Sequence, residues 1–149
     1  VGGVLLPLAV KMYLGVKKGT YTNFDVSNQQ ERKGWYKYAL LLLAMLTGVL
    51  WMTEVSDGVR LSVSCALLLL AGSQLLNHYI KASLHVSVNT FLAFLMLPLN
   101  WVIALIFGSF IPFIAWARVV QGRHSSREVW AGAFLGVVVG VVFLMFRLR

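Results

Sequence analysis

The sequence predicts an all-α fold, a polytopic bundle of six transmembrane helices, and three observations lead there. Of the 149 residues, 59% are hydrophobic and only 12% charged, and the mean hydropathy is +0.79. A soluble domain of this size carries about a quarter charged residues. The apolar residues fall in long continuous blocks, which is the pattern of spanning helices and not the alternation of a β-barrel. The polar residues collect in short patches between those blocks. One domain is enough for the length.

Taken in order, residues 1–15 are apolar apart from Lys11 and read as the end of a first span cut short by the start of the chain. Residues 17–33 are polar and lie outside the hydrocarbon. Residues 35–52 form a second span with aromatics at its entrance. A turn with Glu54 and Asp57 leads to a third span over 59–80, and a polar patch follows at 81–87. The fourth span begins near Ser83 and breaks at Pro98-Leu99-Asn100. The fifth covers 101–116, with Pro112 as an expected kink. The sixth covers 129–145, and its Gly132, Gly136 and Gly140 lie four apart on one face, a spacing that lets helices approach closely.

The net charge of +8 raises the question of nucleic acid. The basic residues sit at the ends of apolar runs, however, which points to topology signals and anionic lipid headgroups. Cys65 stands alone inside an apolar run, which excludes a disulfide framework and a cysteine-based metal site.

Residues 117–132 gather Arg118, Arg123, His124, Arg127 and Glu128 between two apolar runs. Ionisable groups at the edge of a span are functional-site candidates. His124 and Glu128 are four apart, so one helical turn puts them on the same face. The carboxylate can then accept Nδ1–H and leave Nε2 as a nucleophile. Arg118 offers a guanidinium fork for phosphate oxygens. Ser83 and His85 lie where the fourth span starts, and a helix N-terminus suits a phosphate. Ser83 serves there as a cap, a hydroxyl donor, or both. For each residue alone, contact with lipid headgroups is the competing explanation. Two spans separate 17–33 from 81–87, and two more separate 81–87 from 117–132. All three patches therefore return to one face of the membrane, where they can build one site.

These residues resemble the type 2 phosphatidic acid phosphatase (PAP2) superfamily, which also includes the vanadium haloperoxidases. Its motifs are K-x6-R-P, P-S-G-H and S-R-x5-H-x3-D. The third is matched by Ala117-Arg118-x5-His124-x3-Glu128, the second by Ala82-Ser83-Leu84-His85, and the first by Asp25-x6-Arg32-Lys33. The order, the spacing and the intervening spans agree over nearly the whole chain. The resemblance implies a haloperoxidase-like helical core and phosphoryl transfer from a lipid phosphate or diphosphate, with no metal and no cofactor. In that scheme His124 attacks phosphorus, Glu128 orients it and His85 protonates the leaving oxygen. Arg32, Arg118 and Ser83 hold the phosphate, and Asp25, Lys33 and Lys81 are possible secondary contributors.

Four departures stand out: Asp25 for Lys, Lys33 for Pro, Leu84 for Gly and Glu128 for Asp. Those at Asp25 and Leu84 favour an alternative, a catalytically impaired relative that binds or transports lipid phosphates. Either way the expected partners are membrane lipids and not nucleic acid. Nine Lys and Arg residues fall on the motif face against three on the other. The positive-inside rule thus puts the motif face in the cytoplasm, whereas many bacterial members of the family carry their site on the outer face.

Overall fold

The computed structural model describes residues 2–21 and 29–148, apart from the side chains of residues 2–5, 29, 30 and 32. Six α-helices account for nearly all of them: α1 (Gly2–Lys17), α2 (Gln29–Met52), α3 (Asp57–Leu76), α4 (Leu84–Met96), α5 (Trp101–Val120) and α6 (Ser126–Arg147). The chain divides into two compact units, Val1–Glu54 and Val55–Arg149.

The N-terminal unit is the pair α1 and α2. Lys11, the one charge in the interior of an apolar helix that ends at Lys17, sets its ammonium 3.9 Å from the centroid of the Tyr38 ring, a cation–π contact that suits a cation among hydrocarbon. Gly19 ends α1 at φ +72°, in the left-handed region that glycine tolerates. The chain then folds Tyr21 back against Gly15, where a side chain would collide with the ring. Burial, and secondarily Glu31, raise the Tyr21 phenol above its ordinary pKa.

In the C-terminal unit α4 is the central element, seated on α6 and α5 and touching α3. The α6 glycines decide this packing. A Cβ on Gly132 would lie 2.5 Å from the Ser83 carbonyl oxygen, and one on Gly136 would lie 2.6 Å from that of Ser87. Gly140 faces Phe94 just as closely. The stripe therefore packs α4 against α6 inside the unit, with the two helices running in parallel. Gly58 faces Arg147 and Gly72 faces Leu135, so α3 runs antiparallel to α6. Cys65, Leu69, Phe91, Val139 and Phe143 form the core, with Phe91 and Phe143 edge to face at 6.2 Å. The polar residues of α4 satisfy themselves: Ser87 Oγ donates to the Leu84 carbonyl at 3.0 Å and Thr90 Oγ1 to that of Val86 at 2.8 Å. Internal pairing of this kind is what a water-free surrounding demands.

Outward positions are apolar, among them Trp101, Leu105, Phe113, Phe134 and Val138. Four helical stretches are long and apolar enough to cross a membrane: Lys33–Met52, Asp57–Leu76, Trp101–Val120 and Ser126–Arg147. By contrast, α4 has 13 residues, about 20 Å at the helical rise and short of a hydrocarbon layer of about 30 Å. Its early stop has a local cause. Pro98 follows the Leu97 cap, and Asn100 caps α5 by accepting from the N–H groups of Val102 at 2.9 Å and Ile103 at 3.2 Å. Despite Pro112, α5 stays helical along its length.

Candidate active site

The Arg118–His124 spacing has a backbone explanation. Gln121 caps α5, and Gly122 adopts φ +64°. Gly122 N–H donates to the Val119 carbonyl at 2.9 Å and Arg123 N–H to the Arg118 carbonyl at 3.1 Å. This pair of bonds is a Schellman motif. His124 N–H adds a third bond, also 3.1 Å to the Arg118 carbonyl. Five intervening residues are what this turn needs to bring His124 back onto Arg118.

A second helix terminus explains the next interval. Ser125 is the N-cap of α6, and Glu128 is its third residue. Glu128 N–H donates to Ser125 Oγ at 3.4 Å, while Ser125 N–H donates to Glu128 Oε2 at 3.0 Å, closing a capping box. His124 precedes this cap, so it does not share a helical face with Glu128, contrary to the expectation from spacing. The contact forms because the Glu128 side chain reaches back along the chain: Oε2 lies 3.0 Å from His124 Nδ1.

The carbonyl of Lys81 also lies 3.1 Å from His124 Nδ1. Carboxylate and carbonyl are both acceptors, so Nδ1 carries the hydrogen and the lone pair of the neutral ring is on Nε2. The His124 side chain is only 2% exposed. A second link runs alongside, as Lys81 Nζ donates to the Arg123 carbonyl at 2.8 Å. Of the three ammonium hydrogens of Lys81, two remain for other acceptors.

Ser83 completes the arrangement. Its N–H donates to the Glu128 carbonyl at 3.0 Å, and its own carbonyl accepts from Ser87 N–H at 3.0 Å as α4 begins. It holds the N-cap position, yet its hydroxyl makes no cap bond. That hydroxyl is fully buried and has no hydrogen-bond partner among the described residues. Helix geometry leaves the first N–H groups of α4 without intrahelical acceptors, and the N-termini of α4 and α6 bring two positive dipole ends together. The end of α5 contributes Arg118, which is half-buried with its Nε enclosed.

The sequence candidates thus separate into groups. His124, Glu128, Arg118, Ser83 and Lys81 come together at one end of the C-terminal unit. His85 sits in the first turn of α4 at that same end, with its side chain exposed. Leu84 packs against the core cluster. Lys33 belongs to the N-terminal unit and is half-buried. Asp25 and the side chain of Arg32 lie outside the described residues. Sequence reasoning missed Ser125, although Ser-x-x-Glu before an apolar run is a legible capping signature. It also missed the Lys81 carbonyl, a main-chain atom that no residue pattern announces. Among the described residues no three His, Cys, Asp or Glu side chains gather closely enough to hold a metal.

Chemically, the arrangement offers a buried imidazole of fixed tautomer, a carboxylate to stabilise its cation, and a hydroxyl, helix N–H groups and cations for an oxyanion. Comparison of the chain with protein-family models, with curated proteins and with solved structures gives no match.

Proposed function

We propose that this chain is a membrane-embedded phosphatase of lipid phosphates or lipid diphosphates, with a type 2 phosphatidic acid phosphatase-like core and His124 as the nucleophile. The observation that carries the reading is the hydrogen bonding of His124 Nδ1 to two acceptors, Glu128 Oε2 at 3.0 Å and the Lys81 carbonyl at 3.1 Å. A histidine that is only a packing residue has no need of a fixed tautomer, whereas a nucleophile at Nε2 does. The unpartnered Ser83 hydroxyl adds support, since a buried donor at a helix N-terminus is suited to a phosphoryl oxygen.

In this mechanism Nε2 of His124 attacks phosphorus and the bond from phosphorus to the lipid oxygen breaks. His85, as the imidazolium, gives its proton to the leaving oxygen. Arg118, Ser83 and the first N–H groups of α4 hold the charge that develops on the phosphoryl oxygens. Neutral His85 then takes a proton from the water that attacks the phosphohistidine, and phosphate is released. Glu128 faces the imidazolium formed on His124 throughout. We take the chain to be multi-pass, with the site end on the cytoplasmic side by the charge count.

The test is phosphate release from a lipid phosphate by purified protein. For His124→Ala, turnover is expected to fall at least about a thousandfold, with helicity retained and the acid-labile phosphoenzyme lost. EDTA is expected to leave wild-type turnover unchanged. Retained turnover in His124→Ala, or loss on chelation with recovery on adding Mg²⁺, sinks the mechanism.

A further inference from the structure

All five tryptophans stand toward helix ends, and their spacing sets a tighter limit than the helix lengths do. On α5, Trp101 and Trp116 are 15 residues apart, about 22 Å at the helical rise. On α2, Trp35 and Trp51 are 16 apart, about 24 Å, and the exposed Lys37 already falls inside that stretch. On α6, Trp130 and Arg147 are 17 apart, about 26 Å. Trp51, Trp101, Trp116 and Trp130 are 62–75% exposed, so packing inside the fold does not place them. Polar neighbours mark the same limits. Asn100 precedes Trp101, Arg118 follows Trp116 by two, Arg127 precedes Trp130 by three and Glu54 follows Trp51 by three. Between its limits α5 turns Leu105, Ile106, Phe110 and Phe113 outward. The exposed Ser109 hydroxyl there donates to the Ile106 carbonyl of its own helix at 2.8 Å.

We propose that the outer surface of this protein is fitted to a thin bilayer, so that the lipids surrounding it are phospholipids with short acyl chains. The proposal rests on the multi-pass placement and not on catalysis. An outward tryptophan belongs at the boundary of hydrocarbon and water, because its ring is apolar and its N–H needs a polar partner. Three helices, each measured along its own axis, therefore confine the hydrocarbon to about 22–26 Å, and any tilt shortens that further. An ordinary bilayer has a hydrocarbon core of about 30 Å. Long-chain lipids must then compress, or else Arg127 and the Asn100 cap are drawn into hydrocarbon. The short α4 suits the same thickness: its caps Ser83 and Leu97 are 14 residues apart, about 21 Å. Ser83 lies against Gly132, two residues from Trp130, so α4 begins close to the level of that tryptophan. The occupant follows from the pattern. Paired belts at one recurring separation fit a layer with two polar faces, whereas a protein partner imposes no such separation on helices of different units.

Tryptophan fluorescence of the full chain in vesicles tests the proposal. Brominated dioleoyl phosphatidylcholine serves as the quencher, in mixtures with dimyristoleoyl, dioleoyl or dierucoyl phosphatidylcholine, and competition gives the relative affinity of each lipid for the protein surface. The dimyristoleoyl lipid is expected to displace the quencher at least about twofold better than the dioleoyl lipid, and the dierucoyl lipid less well than either. Equal displacement by all three, or best displacement by a longer chain, overturns the thin-bilayer proposal and leaves the spans in place. Absence of quenching in every mixture overturns the multi-pass placement itself, and the proposal with it. A preference that vanishes as the protein-to-lipid ratio rises means that a second copy covers the belts, and also overturns it. In a second measurement Trp101 and Trp116 are both replaced by Leu. Both side chains point outward, so helicity is expected to match wild type. The preference for the short chain is expected to fall by at least about half, with Trp35, Trp51 and Trp130 still reporting. An unchanged preference makes the tryptophan spacing incidental and overturns the proposal.

Discussion

At one end of the α3–α6 unit polar side chains serve their own helix; at the other they serve a helix some forty residues away. Near Asp57, the Arg60 guanidinium meets the Asp57 carboxylate at 3.2 Å within one turn, with Asp57 95% exposed. Asn100 likewise caps the helix it begins. At the site end, Lys81 and Arg123 pair across 42 residues and Lys81 and His124 across 43. Even the two N-cap serines there differ. Ser125 makes the full capping box, whereas Ser83 is buried with its hydroxyl unpartnered. Local bonds start and stop helices and need no partner elsewhere in the chain. A buried hydroxyl without a partner costs about 1–3 kcal/mol, and such a cost persists where a ligand supplies the missing acceptor. Among the described residues Ser73 Oγ on α3 is in the same state, but of the two hydroxyls it is that of Ser83 that stands at a helix N-terminus.

The contrast can be broken or sharpened by substitution, beginning with the largest effect. Gly132→Ala puts a Cβ 2.5 Å from the Ser83 carbonyl oxygen. Backbone lies on both sides of that contact, so α4 must move off α6. A loss of about 1–3 kcal/mol is expected, read as a fall in Tm in detergent, with lipid phosphate turnover falling too because Ser83 shifts. Undiminished turnover would detach the glycine stripe from the site.

Glu128→Asp shortens the one side chain whose Oε2 takes both Ser125 N–H and His124 Nδ1–H. One methylene fewer cannot keep both bonds, so turnover is expected to drop about tenfold, about 1.4 kcal/mol in the barrier. A rise in activity would mean that Glu128 merely stands in for the Asp of the motif it resembles.

Ser83→Ala and Ser125→Ala are expected to act in opposite ways. Losing the Ser125 cap lowers stability by about 1 kcal/mol. Losing the Ser83 hydroxyl leaves stability unchanged or raised, because no bond is broken, while kcat/KM on lipid phosphate falls severalfold. A stability loss in Ser83→Ala that equals the Ser125 effect would show Ser83 to be an ordinary cap. Smallest of all, Asp57→Ala at the far end is expected to leave both Tm and turnover unchanged, since an exposed i,i+3 pair contributes little.

What could be foreseen follows the same division. Helix positions were legible because long apolar blocks and Asn or Pro punctuation act locally: α2, α3, α5 and α6 contain the blocks read at 35–52, 59–80, 101–116 and 129–145 to within a few residues. The close pairing of His124 with Glu128 was legible too, although through a different device. Spacing suggested a helical face, and the contact is instead a capping side chain reaching back to the residue before its helix. The bounds of α4 were legible, from Ser83 to the break at Pro98, but counting it as a full span was not justified, since its 13 residues fall short of the hydrocarbon thickness. The second acceptor of His124 and the unpartnered state of Ser83 depend on the α4–α6 approach, a tertiary fact that no local window holds.

The two helix ends that grip His124 have a further consequence. Its position is fixed by the Arg118 carbonyl behind it, the Ser125 cap ahead and the Lys81 carbonyl beside it, mostly main-chain atoms. Outward side chains on α5 and α6 take no part in that grip, so they are free to drift over many generations without dislodging the imidazole. Selection has only a handful of letters to guard: a glycine able to turn left, a capping serine, a carboxylate three further on. A chain built this way can change most of its sequence while its imidazole stays at a constant address.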